Sequence, residues 1–288
     1  MPGVQLGNGV ARAALGTGGG VLARFDVRSG GRWRAVLTPA RGPGPTGAAA
    51  FPMVPWCNRL SAGGVSTPDG VLPIAPNWPT TPYPVHGTGW LADWQVVHRT
   101  PHRATLRLRE HGGAPYRFHC DLTAALRGTC LSLSLRVTNT GPSALPFGMG
   151  WHPYVPRPPG TTLRLRASRG QGMDGRGLPM PERAVSPPFD FRHPRPLPRR
   201  DLSVSYPAPD SFDLWRPGGF HVACRMSGAE CCLLWSPADS DFLCIEPMSH
   251  RVDAFSSPEG ARPHLLAPGS AMDLCLSISA GHDPGRAR

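Results

Sequence analysis

Apolar and polar positions alternate with a period of two along most of the chain. Residues 105–109, 116–122 and 131–139 each place an apolar side chain at every second position. This is the pattern of half-exposed antiparallel strands. The stretches 21–27 and 32–37 read as a hairpin across Ser29-Gly30-Gly31. Further strands are predicted at 162–166, 203–206, 220–226, 231–235, in the apolar run from 242 to Glu246, and at 272–278. No long segment follows the 3.6-residue period of a helix. The expectation is an all-β chain: one large antiparallel β-sandwich over residues 1–280, with a disordered tail at 281–288. Residues 156–200, rich in Pro, Arg and Gly, read as a long excursion from that body.

Composition changes this picture in a few places. The 288 residues include 36 Pro and 35 Gly, which suits a turn-rich β protein, since 40% of the chain is hydrophobic. The net charge is +11 and all 30 basic residues are Arg. They are scattered rather than gathered into a stripe with interleaved aromatics, so charge alone motivates a nucleic-acid partner and nothing else does. The eight Cys show no CxxC or Cys/His ligand spacing, so no metal site is expected. Most lie in apolar runs, as reduced core thiols of a cytoplasmic protein would. The sequence shows no signal-peptide pattern and no apolar run of the ~20 residues that a membrane span needs, so no membrane partner is expected.

The chemistry concentrates in a few rigid stretches. Phe242 to Glu246 is apolar until its final carboxylate, and Pro247 restricts that residue to extended geometry. Such an acid is either a paired structural group or a catalytic base. Gly148-Met149-Gly150-Trp151-His152-Pro153 repeats the design with an imidazole, and its two glycines leave room beside the backbone. Pro52 and Pro55 stiffen a segment that presents Asn58 and Arg59, a polar pair suited to hydroxyl recognition. His86-Gly87-Thr88-Gly89-Trp90 offers a second His, with glycines permitting close approach to a ligand. Trp90 and Trp94 read either as core tryptophans or as flat apolar faces of the kind that pack on sugar rings. His86, His152 and Glu246 together form an acid–base set that titrates near neutrality, about 6.5 for His and about 4.3 for Glu. One base and one acid suffice to open a cyclic hemiacetal.

In order and spacing, FPMVPWCNRL (51–60), HGTG with the later Trp94, GMGWHPY (148–154), CIEPMSHRVDAF (244–255) and LAPG (266–269) resemble the aldose 1-epimerase (galactose mutarotase) family over nearly the whole chain. The resemblance implies the family's β-supersandwich with a sugar cleft on one sheet. It also implies cofactor-free interconversion of α and β anomers of an aldose, with a small sugar as partner; a monomer or homodimer is the expected assembly. Residue by residue, it implies Glu246 as general base, His152 as general acid at the ring oxygen, and His86 and Arg59 as sugar-binding groups; Asn58, presented beside Arg59 on the stiffened segment, is expected to bind substrate with them. The family also carries a sugar-binding Asp in an Asp-x-x-Phe-like segment. Here Asp210-Ser211-Phe212 is one residue short, with Asp213 as the alternative to Asp210. That departure and the Arg surplus leave two other readings open on the same fold: an epimerase of a phosphorylated or acidic sugar, and a non-catalytic carbohydrate-binding protein.

Overall fold

The computed structural model describes residues 3–42, 44–67, 70–110, 115–207, 209–256 and 263–283. Two large antiparallel sheets form the body. The first has eleven strands, in the order Gly3–Gly7, Ala11–Gly16, Leu22–Ser29, Ala50–Met53, Gly150–Pro156, Phe242–Met248, Cys231–Ser236, Leu202–Pro207, Arg169–Gly172 and Arg183–Ala184, with Arg32–Ala35 paired beside the third. The second has nine: Arg195–Pro196, Thr162–Leu165, Ser211–Arg216, Phe220–Ser227, Ala271–His282, Cys130–Asn139, Phe118–Arg127, Arg103–Glu110 and Gln95–Arg99. Among the described residues the helices are three-residue 3₁₀ turns, so no helix is long and apolar enough to cross a membrane.

The period-two pattern accounts for the layering. Along Phe118–Arg127 and Cys130–Asn139 every second side chain is buried, and those residues face the other sheet. The central strands of the eleven-stranded sheet differ, because they are buried on both faces. Trp151, Val155, Leu243, Ile245 and Leu234 enter the core between the sheets. Their alternates Phe51, Met53, Leu233 and Met248 join a second apolar cluster on the outer face, with Cys57, Val85 and Trp90. That second cluster is covered by loops, and it forms the floor of a cleft. All eight Cys are free, and six are buried. Many arginines pair with carboxylates on the surface, among them Arg107 with Asp121 and Arg136 with Asp273.

Two expectations need adjustment, and two strands were not anticipated. The first two strands, Gly3–Gly7 and Ala11–Gly16, lie in a stretch whose alternation is masked by small residues. Gly281 and His282 complete the closing strand, and the Asp283 N–H donates to the Gly219 carbonyl at 2.7 Å, so the sheet extends into the expected tail. Residues 284–288 of that tail lie outside the described residues. Glu246 and His152 do not end their strands, because both strands continue through the following proline. Instead, the ladder between them opens.

Candidate active site

The ladder between Gly150–Pro156 and Phe242–Met248 pairs Gly150 with Met248 and Tyr154 with Cys244, and lapses between those pairs. Pro153 and Pro247 lie in the gap, where each lacks an N–H to give. The same register sets His152 opposite Glu246 there. A row of side chains therefore crosses four strands on one face: Phe51 pairs with His152, and Leu233 with Glu246. Two residues along, Tyr154, Cys244 and Trp235 form the next row.

His152 Nε2 lies 3.3 Å from Glu246 Oε1. Both are buried, at 7% and 2% exposure, yet both line a cleft of about 420 Å³. The His152 ring is stacked on Phe51 at 4.5 Å between centroids, with the His86 ring edge-on at 5.4 Å. Burial pushes the Glu246 carboxyl up to about 8, with Arg59 pulling it partly back. Burial also pushes His152 down to about 3. From about pH 3 to about pH 8 the pair thus holds one proton between two groups, while His152 Nδ1 and Glu246 Oε2 have no partner among the described residues.

Arg59 and Asn58 reach the cleft from an irregular segment. Asn58 is held at φ 56°, and its Oδ1 accepts from the Arg59 N–H at 3.0 Å and from Arg59 Nη1 at 3.3 Å. The Asn58 N–H donates to His86 Nδ1 at 3.1 Å. His86 therefore carries its proton on Nε2. Burial, reinforced by His152 and Arg59, keeps the ring neutral by lowering its pKa well below the usual range. Among the described residues Arg59 Nε has no partner. The guanidinium lies under Gly177, where an added Cβ would sit 2.6 Å from Cζ.

The glycines serve a different purpose from the one expected. A Cβ on Gly87 would come within 1.9 Å of the Val54 carbonyl oxygen, and one on Gly148 within 2.1 Å of His250 Cδ2. They let protein segments cross closely beneath the cleft rather than admit a ligand to the backbone. Trp90 lines the cleft, stacked with Phe51 at 5.3 Å and held by an Nε1–H bond to the Gly87 carbonyl. Trp94 does not: it packs on Gly20 and donates to the Gly89 carbonyl.

The expected aspartate is displaced from the cleft. Asp210 is exposed and accepts from the Ser211 hydroxyl at 2.7 Å. Asp213 is buried between Arg164, at 2.6 Å, and His221, at 2.9 Å. Asp213 belongs to the nine-stranded sheet and Asp210 immediately precedes the same strand, while the cleft lies on the eleven-stranded sheet. Asp174 lines the cleft instead. Its Oδ1 accepts the Leu178 N–H at 2.9 Å and the Arg176 N–H at 2.8 Å, and these bonds and the Arg176 side chain lower its pKa. An Asp followed by Gly-x-Gly is the sequence signal of such an Asx-type turn. Trp78, Tyr154 and Trp235 are further aromatic lining residues that sequence reasoning passed over. Tyr154 was within reach, because it is two residues beyond His152 and so on the same face.

An all-β protein with an aromatic cleft over a buried acid–base pair is the class that the fold and site define. Residues 3–279 match the family model described as aldose 1-epimerase. The uncharacterized protein YphB of Escherichia coli K12 is 30% identical, over 95% of this chain and 97% of its own. A solved Escherichia coli K12 protein, provisionally assigned as an aldose 1-epimerase, superposes with a TM-score of 0.90 at 28% identity, over 98% of this chain and 99% of its own. The galactose 1-epimerase of Lactobacillus acidophilus NCFM shares the fold, with a TM-score of 0.78 at 15% identity, over 97% of this chain and 95% of its own. The chain belongs to the aldose 1-epimerase family, an isomerase family of the mutarotase type.

Proposed function

We propose that the protein interconverts the α and β anomers of an uncharged aldose by opening and reclosing the pyranose ring. The contact between His152 and Glu246, buried at the floor of a sugar-sized cleft, carries this reading. Glu246 takes the proton of the anomeric hydroxyl while His152 gives one to the ring oxygen. The C1–O5 bond breaks, leaving an open-chain aldehyde. Rotation about C1–C2 and reclosure, with both proton transfers reversed, yields the other anomer. Each proton transfer contributes about 10²–10⁴-fold. The carboxylate–imidazolium form that this needs is a tautomer of the neutral pair, so a shared proton supports it without exchange with solvent.

Arg59, Asn58, the His86 Nε2–H and Asp174 supply hydroxyl-binding groups, and Phe51, Trp78 and Trp90 supply apolar faces. Arg59 is the one Arg among the described lining residues, and Asp174 lines the same cleft. That balance favours a free sugar over a phosphorylated or acidic one, because a phosphate calls for more cationic donors. The scatter of arginines into surface ion pairs favours a small sugar over a nucleic acid as partner. The test is polarimetry of freshly dissolved α-glucose, α-galactose and their 6-phosphates with purified protein. Faster equilibration of the free sugars is expected. Binding of sugar without anomerisation between pH 5 and 8 would show a non-catalytic carbohydrate-binding protein instead.

A further inference from the structure

His250 is completely buried and lies outside the cleft, yet it is bonded to the segment that carries Asn58 and Arg59. Its Nε2 accepts the Cys57 N–H at 3.0 Å, and Nδ1 lies 2.8 Å from the Arg251 carbonyl oxygen. An amide can only donate and a carbonyl can only accept, so one neutral tautomer satisfies both. The seat of the ring is Gly148, where any Cβ would overlap it, and Phe255 closes the other side with an edge contact at 4.8 Å.

Around that ring, three chain segments are tied together. The Gly148 N–H donates to the Pro55 carbonyl at 2.7 Å. The Met149 N–H donates to Ser249 Oγ, and the Ser249 N–H to the Met149 carbonyl, each at 2.9 Å. Each segment adjoins a site residue: Cys57 precedes Asn58 and Arg59, Met149 leads to His152, and Ser249 follows Glu246. His152 and Glu246 are also fixed by their strands. Asn58 and Arg59 have no such frame beyond a single isolated bridge from Arg59 to Val85. Three successive N–H groups there, from Cys57, Asn58 and Arg59, are taken up by side chains: His250, His86 and Asn58.

We propose that His250 is a positioning residue for sugar binding: through the Cys57 amide it sets where Asn58 and Arg59 present their polar groups, while touching no sugar itself. This rests on the anomerisation reading for its kinetic consequence only. The experiment compares His250→Leu, His250→Asn and His250→Gln. Leu offers no acceptor. Asn keeps the near atom for Arg251 but falls short of Cys57, and Gln returns an acceptor at the far position.

The Leu and Asn variants are expected to raise KM by about tenfold or more, with kcat changed by no more than about threefold. Gln is expected to restore KM to within about threefold of wild type. In the Leu variant the amides of 57–59 should exchange faster with solvent, as followed by hydrogen exchange. An unchanged KM in both Leu and Asn, or a Gln variant as impaired as Leu, overturns the proposal. Should His250→Leu not fold, His250→Asn carries the same comparison. If the wild-type protein anomerises no aldose, the catalytic reading falls and amide exchange decides the positioning alone: faster exchange in Leu or Asn but not in Gln upholds it, and equal protection in all variants overturns it.

Discussion

Glu246 and His152 face one another across a gap in an otherwise paired ladder, with Oε1 and Nε2 3.3 Å apart and burial favouring the neutral form of each. Removing either titratable group should abolish the two-proton relay while sparing the sheet. Glu246→Gln and His152→Asn are each expected to lower kcat by about 10²–10⁴-fold, with circular dichroism unchanged. A rate within a few-fold of wild type in either variant would remove that residue from the mechanism.

The same pair sets the pH–rate profile. Above about pH 8 the carboxyl loses the shared proton, and the imidazole has none to give to the ring oxygen. The value of kcat/KM for an aldose should therefore be level between pH 6 and 7.5, and fall by about tenfold per pH unit above about 8. A profile that keeps rising through pH 9 would contradict the shared-proton state.

Stability should follow pH through linkage. The folded pKa of Glu246 lies above its unfolded value, so its contribution is complete below about 4.5 and is lost as pH rises to about 8. His152, and His250 at about 4, lie below their unfolded value, so their contributions are complete above about 6.5 and are lost as pH falls. The chain should be most stable near pH 6.5. Between there and pH 8, Glu246 alone costs about 2 kcal/mol, at about 1.4 kcal/mol per pH unit. Denaturant midpoints should show this decline in the wild type and a flat limb in Glu246→Gln.

Asp174 and Gly177 bear on sugar affinity. Asp174→Asn keeps the Oδ1 acceptor of its turn and drops the charge, and Gly177→Ala drives a methyl into the Arg59 guanidinium. Both should raise KM by about tenfold with little change in kcat. Asp210→Asn, exposed at the start of a strand of the far sheet, should change neither. Asp213→Asn should instead lower stability, since it strips the charge partner of Arg164 and His221.

Gly87→Ala tests the crossing beneath the cleft. Its Cβ would meet the Val54 carbonyl at 1.9 Å, from a backbone held at φ 73°. Neither partner is a flexible side-chain tip, so the variant should lose about 3 kcal/mol or more in urea unfolding.

Much of this molecule was legible in the residues themselves. Alternation by two revealed the strands from 103 to 139, because a sheet buried on one face must repeat with the pleat, whereas Cys231–Ser236 and Phe242–Met248, buried on both faces, showed only as apolar runs, and Ser211–Arg216 was passed over. It failed over residues 3–16, where Gly and Ala give the pattern little contrast. Four of the five quoted motifs hold Glu246, His152, His86, Asn58 and Arg59, and these five residues line one cleft. The aspartate was misplaced because a short motif at the right distance along the chain belonged to the wrong sheet. Only tertiary structure assigns a strand to a sheet, since that depends on hydrogen bonds between residues far apart in sequence. The glycines were identified as close-approach positions, but what approaches them came from other segments: the Val54 carbonyl at Gly87 and His250 at Gly148. The sequence by itself determined the side-chain chemistry and the local extended geometry, because these depend on residue type and on near neighbours. The tertiary structure decided which of those groups share one desolvated space, and with it the shift of Glu246 upward and of His152 downward, because burial arises only when distant strands are packed together.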